Sequence, residues 1–378
     1  MLEDEAFKEN LLLAALTNPS NSDIYTTQYA QFVDTFSRIG IPSYLPHAFF
    51  VAGGGLAIEN ALKTAMDWKV QKNFQKGYKE ERGFQVLHFE HAFHGRTGYT
   101  LSLTNTHPDK TKWFAKFNWP RVSTPKIDFP LSANNLEDLA KREALSIAQI
   151  RKAFAENKDD ICAIIIEPIQ SEGGDNHLRK EFFEKLRIIA DEEEALLIYD
   201  EVQTGVGLSG KFWCHEHFGE NARPDILAFG KKMQVCGILA SKRVDEIEQN
   251  VFTTPSRINS TWGGNLVDMV RASKILEIIE EDKLVGKAAS TGEYLHSRLL
   301  SIAEKYSIVG NVRAKGLIAA FDFPDKNTRD LFIKKGLEKN VMFLGCGNQS
   351  IRFRPALIME KADLDLGLNV LEDVVKTL

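Results

Sequence analysis

"ALLIYDEVQTGVGLSG" (residues 195–210) opens with a short apolar run, closes that run with Asp200 and Glu201, and then places three glycines in quick succession. A run this continuous reads as a strand buried on both faces, with the two acids where it leaves the core. An aspartate at that point is unfavourable unless a cation or a hydrogen-bond donor meets it. The partner of Asp200 therefore has to be sought elsewhere in the chain.

Working outward, similar runs recur. "HAFFVA" (47–52), "QVLHFE" (85–90) and "ICAIIIE" (161–167) precede it, and "ILAFG" (226–230) and "GILAS" (237–241) come after it. Amphipathic stretches lie between them. In "LAIENALKTAMDWKVQKN" (56–73), Ile58, Ala61, Leu62, Ala65 and Met66 share one helical face. The alternation predicts an α/β fold whose mostly parallel sheet is covered by helices and binds ligands at the carboxyl ends of its strands. Residues 1–40 read as a helical lead-in broken by "TNPSNSD" (17–23). Beyond 271 the character changes, with long charged helices leading to "LIAAFDF" (317–323) and "SIRFRPAL" (350–357). The expected division is a large domain over 1–271 and a smaller C-terminal α/β domain over 272–378.

Bulk properties narrow the function. The 378 residues are 43% hydrophobic and 26% charged, an ordinary globular balance. A formal net charge of −5, without a long basic run, argues against nucleic-acid binding. Cys162, Cys214, Cys236 and Cys346 are far apart and form no CxxC pair, which fits reduced cytoplasmic thiols better than disulfides or zinc. No apolar run reaches the roughly 20 residues of a membrane helix. The acidic start "MLEDEAFKENLLLAAL" reads as an amphipathic helix rather than a signal peptide.

Several motifs could carry chemistry. "VAGGGLAIEN" (51–60) sets Gly53, Gly54 and Gly55 between strand and helix, where bare backbone N–H groups and the helix dipole can meet an anion; a flexible turn is the plainer alternative. Gly205, Gly207 and Gly210 spell GxGxxG, with Asp225 at the distance of a ribose-binding acid. The crowding of Asp200 and Glu201 and the poor helix pattern before Pro224 count against a nicotinamide site. "HEHFG" (215–219) offers His215 and His217 but no third metal ligand at useful spacing. Glu167 and Glu172 in "IEPIQSEGGD" (166–175) could be a carboxylate pair, and Arg352 and Arg354 in "IRFRPAL" (351–357) could bind a substrate carboxylate. "HAFHGRTGYT" (91–100) groups His91, Phe93, His94 and Arg96, for which loop and packing roles are the plainer reading. "FGKKMQVCG" (229–237) puts Lys231 and Lys232 just past another apolar strand. A carboxylate for a pyridinium and a lysine for an imine are the two protein groups that pyridoxal 5′-phosphate most needs, and Asp200 with one of these lysines supplies both.

In order along the chain, "PSNSDIYT", "HAFHGRTGYTLSLTNT", "EPIQSEGGD", "YDEVQTGVGLSG", "DILAFGKKMQVCG", "NSTWGGN" and "IRFRP" resemble the class III pyridoxal-phosphate-dependent aminotransferases. Within that family the resemblance points to members that move the ε-amine of L-lysine to 2-oxoglutarate, giving 2-aminoadipate 6-semialdehyde and L-glutamate. The alternatives are transfer from ornithine, 4-aminobutyrate or another ω-amine, and a truncated pyridoxal-phosphate-binding relative with little turnover. The resemblance implies the aspartate-aminotransferase-like fold and a homodimer. It makes Lys231 the Schiff-base lysine and general base, with Lys232 an ordinary neighbour. Asp200 becomes the partner of the ring nitrogen, Gln203 lies near the ring hydroxyl, Phe93 stacks on the ring, and Gly54 and Gly55 belong to the phosphate loop. Thr261 reaches the phosphate of the partner subunit. Arg352 and Arg96 bind substrate carboxylates, and Glu172 can pair with Arg352. The expectation drawn from substrate chemistry is that it does so when lysine is bound. Family members usually carry several dozen residues ahead of the point where the resemblance begins, a segment that helps form the substrate entrance and the dimer.

Overall fold

The computed structural model describes all 378 residues. Its centre is a seven-stranded sheet in the order His47–Val51, Cys236–Ala240, Ile226–Phe229, Leu196–Asp200, Ile161–Ile166, Gln85–Phe89, Arg121–Val122. Every apolar run singled out in the sequence contributes a strand. The inner ones are buried from end to end, as Ile161–Ile166 and Leu196–Asp200 are, because helices cover both faces. The helix Gly54–Gln75 presents Ile58, Ala61, Leu62 and Ala65 to one face, packing on Val86, Ala163 and Ile198. On the other face, Phe182, Phe183 and Leu186 of the helix Lys180–Glu192 pack against Ile164 and Tyr199.

The sheet is parallel except for one strand. Cys236–Ala240 pairs antiparallel with both neighbours, Ile226–Phe229 and His47–Val51. The reason lies in the connection: residues 230–235 are too few for the crossover that a parallel pair requires. The chain therefore turns back at once, and Lys231 sits in that turn with a left-handed φ of 49°.

The glycines of 205–210 shape a turn, not a nucleotide loop. The next ordered element is the short 3₁₀ segment Cys214–Phe218. A Cβ on Gly205 would stand 2.5 Å from the Trp213 ring, and one on Gly210 2.9 Å from Ala289. Asp225 accepts from the Leu197 amide at 2.8 Å and from Arg187 at 2.7 Å, so its carboxylate is already engaged in the core.

Two helices open the chain, Glu5–Thr17 and Thr27–Ile39, the second packing Phe32 and Phe36 near Phe50 and Phe229. A second sheet, wholly antiparallel, orders Gly310–Lys315, Ile318–Asp322, Ser350–Phe353 and Leu344–Cys346. It has its own core, in which Leu295, Leu299, Phe321, Phe332 and Leu371 meet. Position 271/272 falls inside the helix Leu266–Glu281, whose Met269, Ala272, Leu276 and Ile279 join the core of Phe32 and Phe229.

Candidate active site

Four neighbouring parallel strands end side by side, and the loops leaving their carboxyl ends face one cavity of about 190 Å³. Gln85–Phe89 leads to Phe93 and His94, Ile161–Ile166 to Glu167, Leu196–Asp200 to Asp200, Val202 and Gln203, and Ile226–Phe229 to Lys231. Gly54 and Gly55 close the cavity from the start of the helix Gly54–Gln75. Of the residues expected from the sequence, this brings together Gly54, Gly55, Phe93, Asp200, Gln203 and Lys231. Glu167, read above only as one acid of a possible carboxylate pair, joins them with His94 and Val202.

The buried partner of Asp200 is His94. Its Nδ1 lies 2.8 Å from Asp200 Oδ2, while Oδ1 accepts from the Val202 amide at 3.1 Å. Both side chains are buried, and His94 Nε2 has no partner within the protein. Glu167 is equally enclosed. Its two oxygens accept from the amides of Phe93 (3.0 Å) and Ser171 (3.1 Å), so one carboxyl braces two loops. Burial, then the charge of Asp200, raises the Glu167 carboxyl well above its ordinary range. Lys231 is shifted the other way. Burial first and Arg352 second lower its amine, against the opposing pull of Asp200, Glu167 and Glu172.

Lys232 is more than the ordinary neighbour expected beside Lys231. Its Nζ donates to the carbonyl of Gln203, and burial, Arg354 and Lys231 push its amine down to about 7. His215 of the "HEHFG" stretch is packed between Glu201 (2.8 Å) and the Tyr44 hydroxyl (2.7 Å), and His217 faces the Ser209 carbonyl.

Pyridoxal phosphate fits these residues. Gly53, with φ of 117°, offers no side-chain cap to the long helix behind it, leaving the first N–H groups and the positive helix end for an anion. A Cβ on Gly54 would come within 2.9 Å of Val202, and one on Gly55 within 3.2 Å of Thr97, so side chains there would fill the space. A buried carboxylate lines the same cavity and suits a protonated ring nitrogen, and Lys231 suits an aldehyde.

The edge of the site is built from charges. Glu172 Oε2 is 3.0 Å from Arg352 Nη1, and Oε1 accepts from Lys110 at 2.6 Å. Burial raises the Glu172 carboxyl, but Lys110 and Arg352 outweigh it and hold it below its ordinary value. Arg354 points inward, where it is paired through two nitrogen–oxygen contacts with the fully buried Asp175. Neither arginine of "IRFRP" is thus simply solvated. Arg96 is exposed and comes directly after Gly95, which lines the cavity. Thr261 is exposed and does not line it; its carbonyl accepts from the Ser20 hydroxyl at 2.9 Å.

Fold and site together define an aminotransferase of the pyridoxal-phosphate type. The chain belongs to the class III aminotransferases: the Aminotransferase class-III profile matches residues 13–375. The L-lysine-epsilon aminotransferase of Mycobacterium tuberculosis is 48% identical over 97% of this chain and 81% of its own length. That of Streptomyces clavuligerus is 46% identical over 99% of this chain and 82% of its own. Human mitochondrial 4-aminobutyrate aminotransferase is 32% identical over 96% of the chain and 77% of its own length. Among solved structures, a lysine aminotransferase from M. tuberculosis in the internal aldimine form superposes with a TM-score of 0.97 at 47% identity, covering 100% of this chain and 86% of that one.

Proposed function

We propose that the protein transfers the ε-amino group of L-lysine to 2-oxoglutarate, yielding 2-aminoadipate 6-semialdehyde and L-glutamate. The observation that carries this reading is the pairing of Lys231 and Asp200 on one cavity with an arginine at its edge already neutralised by a glutamate. The lysine ε-aminotransferases similar to the chain along almost its whole length support the choice of donor.

Pyridoxal phosphate, when bound, supplies an aldehyde for the amine and a ring that accepts electrons. The chain's residues do the rest. Gly54 and Gly55 would hold the phosphate, Asp200 the protonated ring nitrogen, Gln203 the ring hydroxyl and Phe93 a ring face. His94 is a positioning residue that fixes Asp200 from behind. Lys231 Nζ takes a proton from the ε-carbon of lysine in one half-reaction and returns one to the α-carbon of nascent glutamate in the other. Its lowered amine suits that work, because a neutral amine is available closer to neutral pH.

Lysine enters amine first, which leaves its carboxylate far from the reacting carbon and within the scope of Arg96. Opposite Arg352 it presents only methylenes, and Glu172 keeps that guanidinium paired. 2-Oxoglutarate brings a carboxylate beside its reacting carbon; this one takes Arg352, displacing Glu172, while the distal carboxylate takes Arg96. The pairing at 3.0 Å supports the first of these two states. Thr261, exposed and outside the lining of its own cavity, serves the phosphate of a partner subunit in a homodimer. No helix is long and apolar enough to cross a membrane, and the four cysteines are free and buried, which fits a cytoplasmic enzyme.

The test is formation of glutamate from 2-oxoglutarate with L-lysine as sole donor, with Lys231→Ala as control. Lysine-dependent glutamate that disappears in the variant is expected. Equal or faster turnover with ornithine or 4-aminobutyrate would reassign the donor.

A further inference from the structure

Glu172 touches two cations, and the two contacts differ. Lys110 Nζ donates to Oε1 at 2.6 Å and is itself steadied by the Thr106 hydroxyl at 3.0 Å. Arg352 Nη1 lies 3.0 Å from Oε2, yet neither Nη1 nor Nε of Arg352 makes a hydrogen bond. The lysine contact is a directed, charge-assisted hydrogen bond, whereas the arginine contact is charge attraction without alignment.

The backbone beneath Glu172 is tied at several points. Its carbonyl accepts from the Gly347 amide at 3.0 Å, Arg313 donates to the carbonyls of Gly174 (2.5 Å) and Asp175 (2.8 Å), and Asp175 is tied to Arg354. Any change of partner is therefore a side-chain rotation between fixed posts. Lys110 also stands 5.2 Å from the centroid of the Phe93 ring, at the cavity wall.

We propose that Lys110 is the second seat of Glu172, a positioning residue that keeps this carboxylate when an incoming dicarboxylate takes Arg352. The proposal rests on the switch described above and names the residue that completes it. Without Lys110, a displaced Glu172 would be a half-buried carboxylate with no cation, so it would stay on Arg352 and compete with the acceptor. The prediction is selective: Lys110 assists the half-reaction that uses 2-oxoglutarate and contributes little to the one that uses lysine.

Binding of glutarate, a dicarboxylate without a keto group, to the cofactor-loaded enzyme tests this by calorimetry, independently of turnover. Lys110→Met is expected to weaken glutarate by about tenfold, in line with a partly buried charge pair. Glu172→Gln is expected to tighten it, and Lys110→Met with Glu172→Gln to return to the affinity of Glu172→Gln alone. Unchanged binding in Lys110→Met, with tightening in Glu172→Gln, would overturn the role of Lys110 and leave the switch standing. Weakened binding that the double variant fails to restore would also overturn it, since Lys110 would then act on the ligand or the fold directly. No change in any variant would overturn both the proposal and the switch beneath it.

Discussion

The inner wall of the cavity and its charged edge are made from similar residue types and behave differently. At the wall, Asp200, His94 and Glu167 are buried, and each carboxylate oxygen has a directed donor or a histidine within 3.1 Å. At the edge, Glu172 and Arg352 remain partly exposed, and the guanidinium lies close without aligning. The same strand end shows the contrast in two residues. Arg354 is locked to buried Asp175, while Arg352, two positions earlier, holds a partner it can lose. In the proposed reaction, a wall that keeps a ring protonated would benefit from rigidity, and an anchor that meets two substrates would benefit from a pair that breaks easily.

Substitutions can sharpen or break that contrast. The largest effect is expected at Lys231, where wall and edge meet: Lys231→Ala should lower turnover by at least about 10²–10⁴-fold, the range of a positioned general base, measured as glutamate formed. Asp200→Asn should come next, lowering kcat by about 10²-fold with little change in KM for lysine, because in the proposed role it removes the charge that would hold the ring nitrogen's proton. Arg354→Met should cost about 3–5 kcal/mol of stability in chemical denaturation, since Asp175 would be left as an unpaired buried charge. Arg352→Met should cost no more than about 1 kcal/mol, because Glu172 keeps Lys110 as its cation. Equal costs at the two arginines would erase the distinction between wall and edge.

The smallest effect concerns pH. Burial and Arg352 lower the Lys231 amine, so the cofactor-stripped protein should capture pyridoxal phosphate faster as pH rises, with an inflection below the ordinary lysine value. Arg352→Gln removes the second cause and should move that inflection upward. An inflection that stays in place would remove Arg352 from the electrostatics of Lys231.

Much of this was legible in the residues. Strands such as "ICAIIIE" and "ALLIYDE" are apolar without interruption because both faces are covered, and that pattern survives in sequence. The reversed strand results from a link too short to cross over; the pattern of apolar runs predicts a mostly parallel sheet without saying which strand turns back. Pairings across long separations were not legible. His94 and Asp200 are 106 positions apart and Lys110 and Glu172 are 62 apart, and nothing local marks them as partners. Lys232 reads as an ordinary neighbour because adjacency to Lys231 says nothing about the Gln203 carbonyl it reaches. Glu167 was visible as one acid of a pair, but its separation from Glu172, one in the wall and the other at the edge, belongs to the fold.

The most direct test of the central claim is the visible absorbance of the cofactor-loaded protein on adding L-lysine without any oxoacid, and then 2-oxoglutarate. The proposed transfer predicts a yellow band that bleaches with lysine and returns with 2-oxoglutarate. A band indifferent to lysine, or one that bleaches as readily with 4-aminobutyrate, would contradict it.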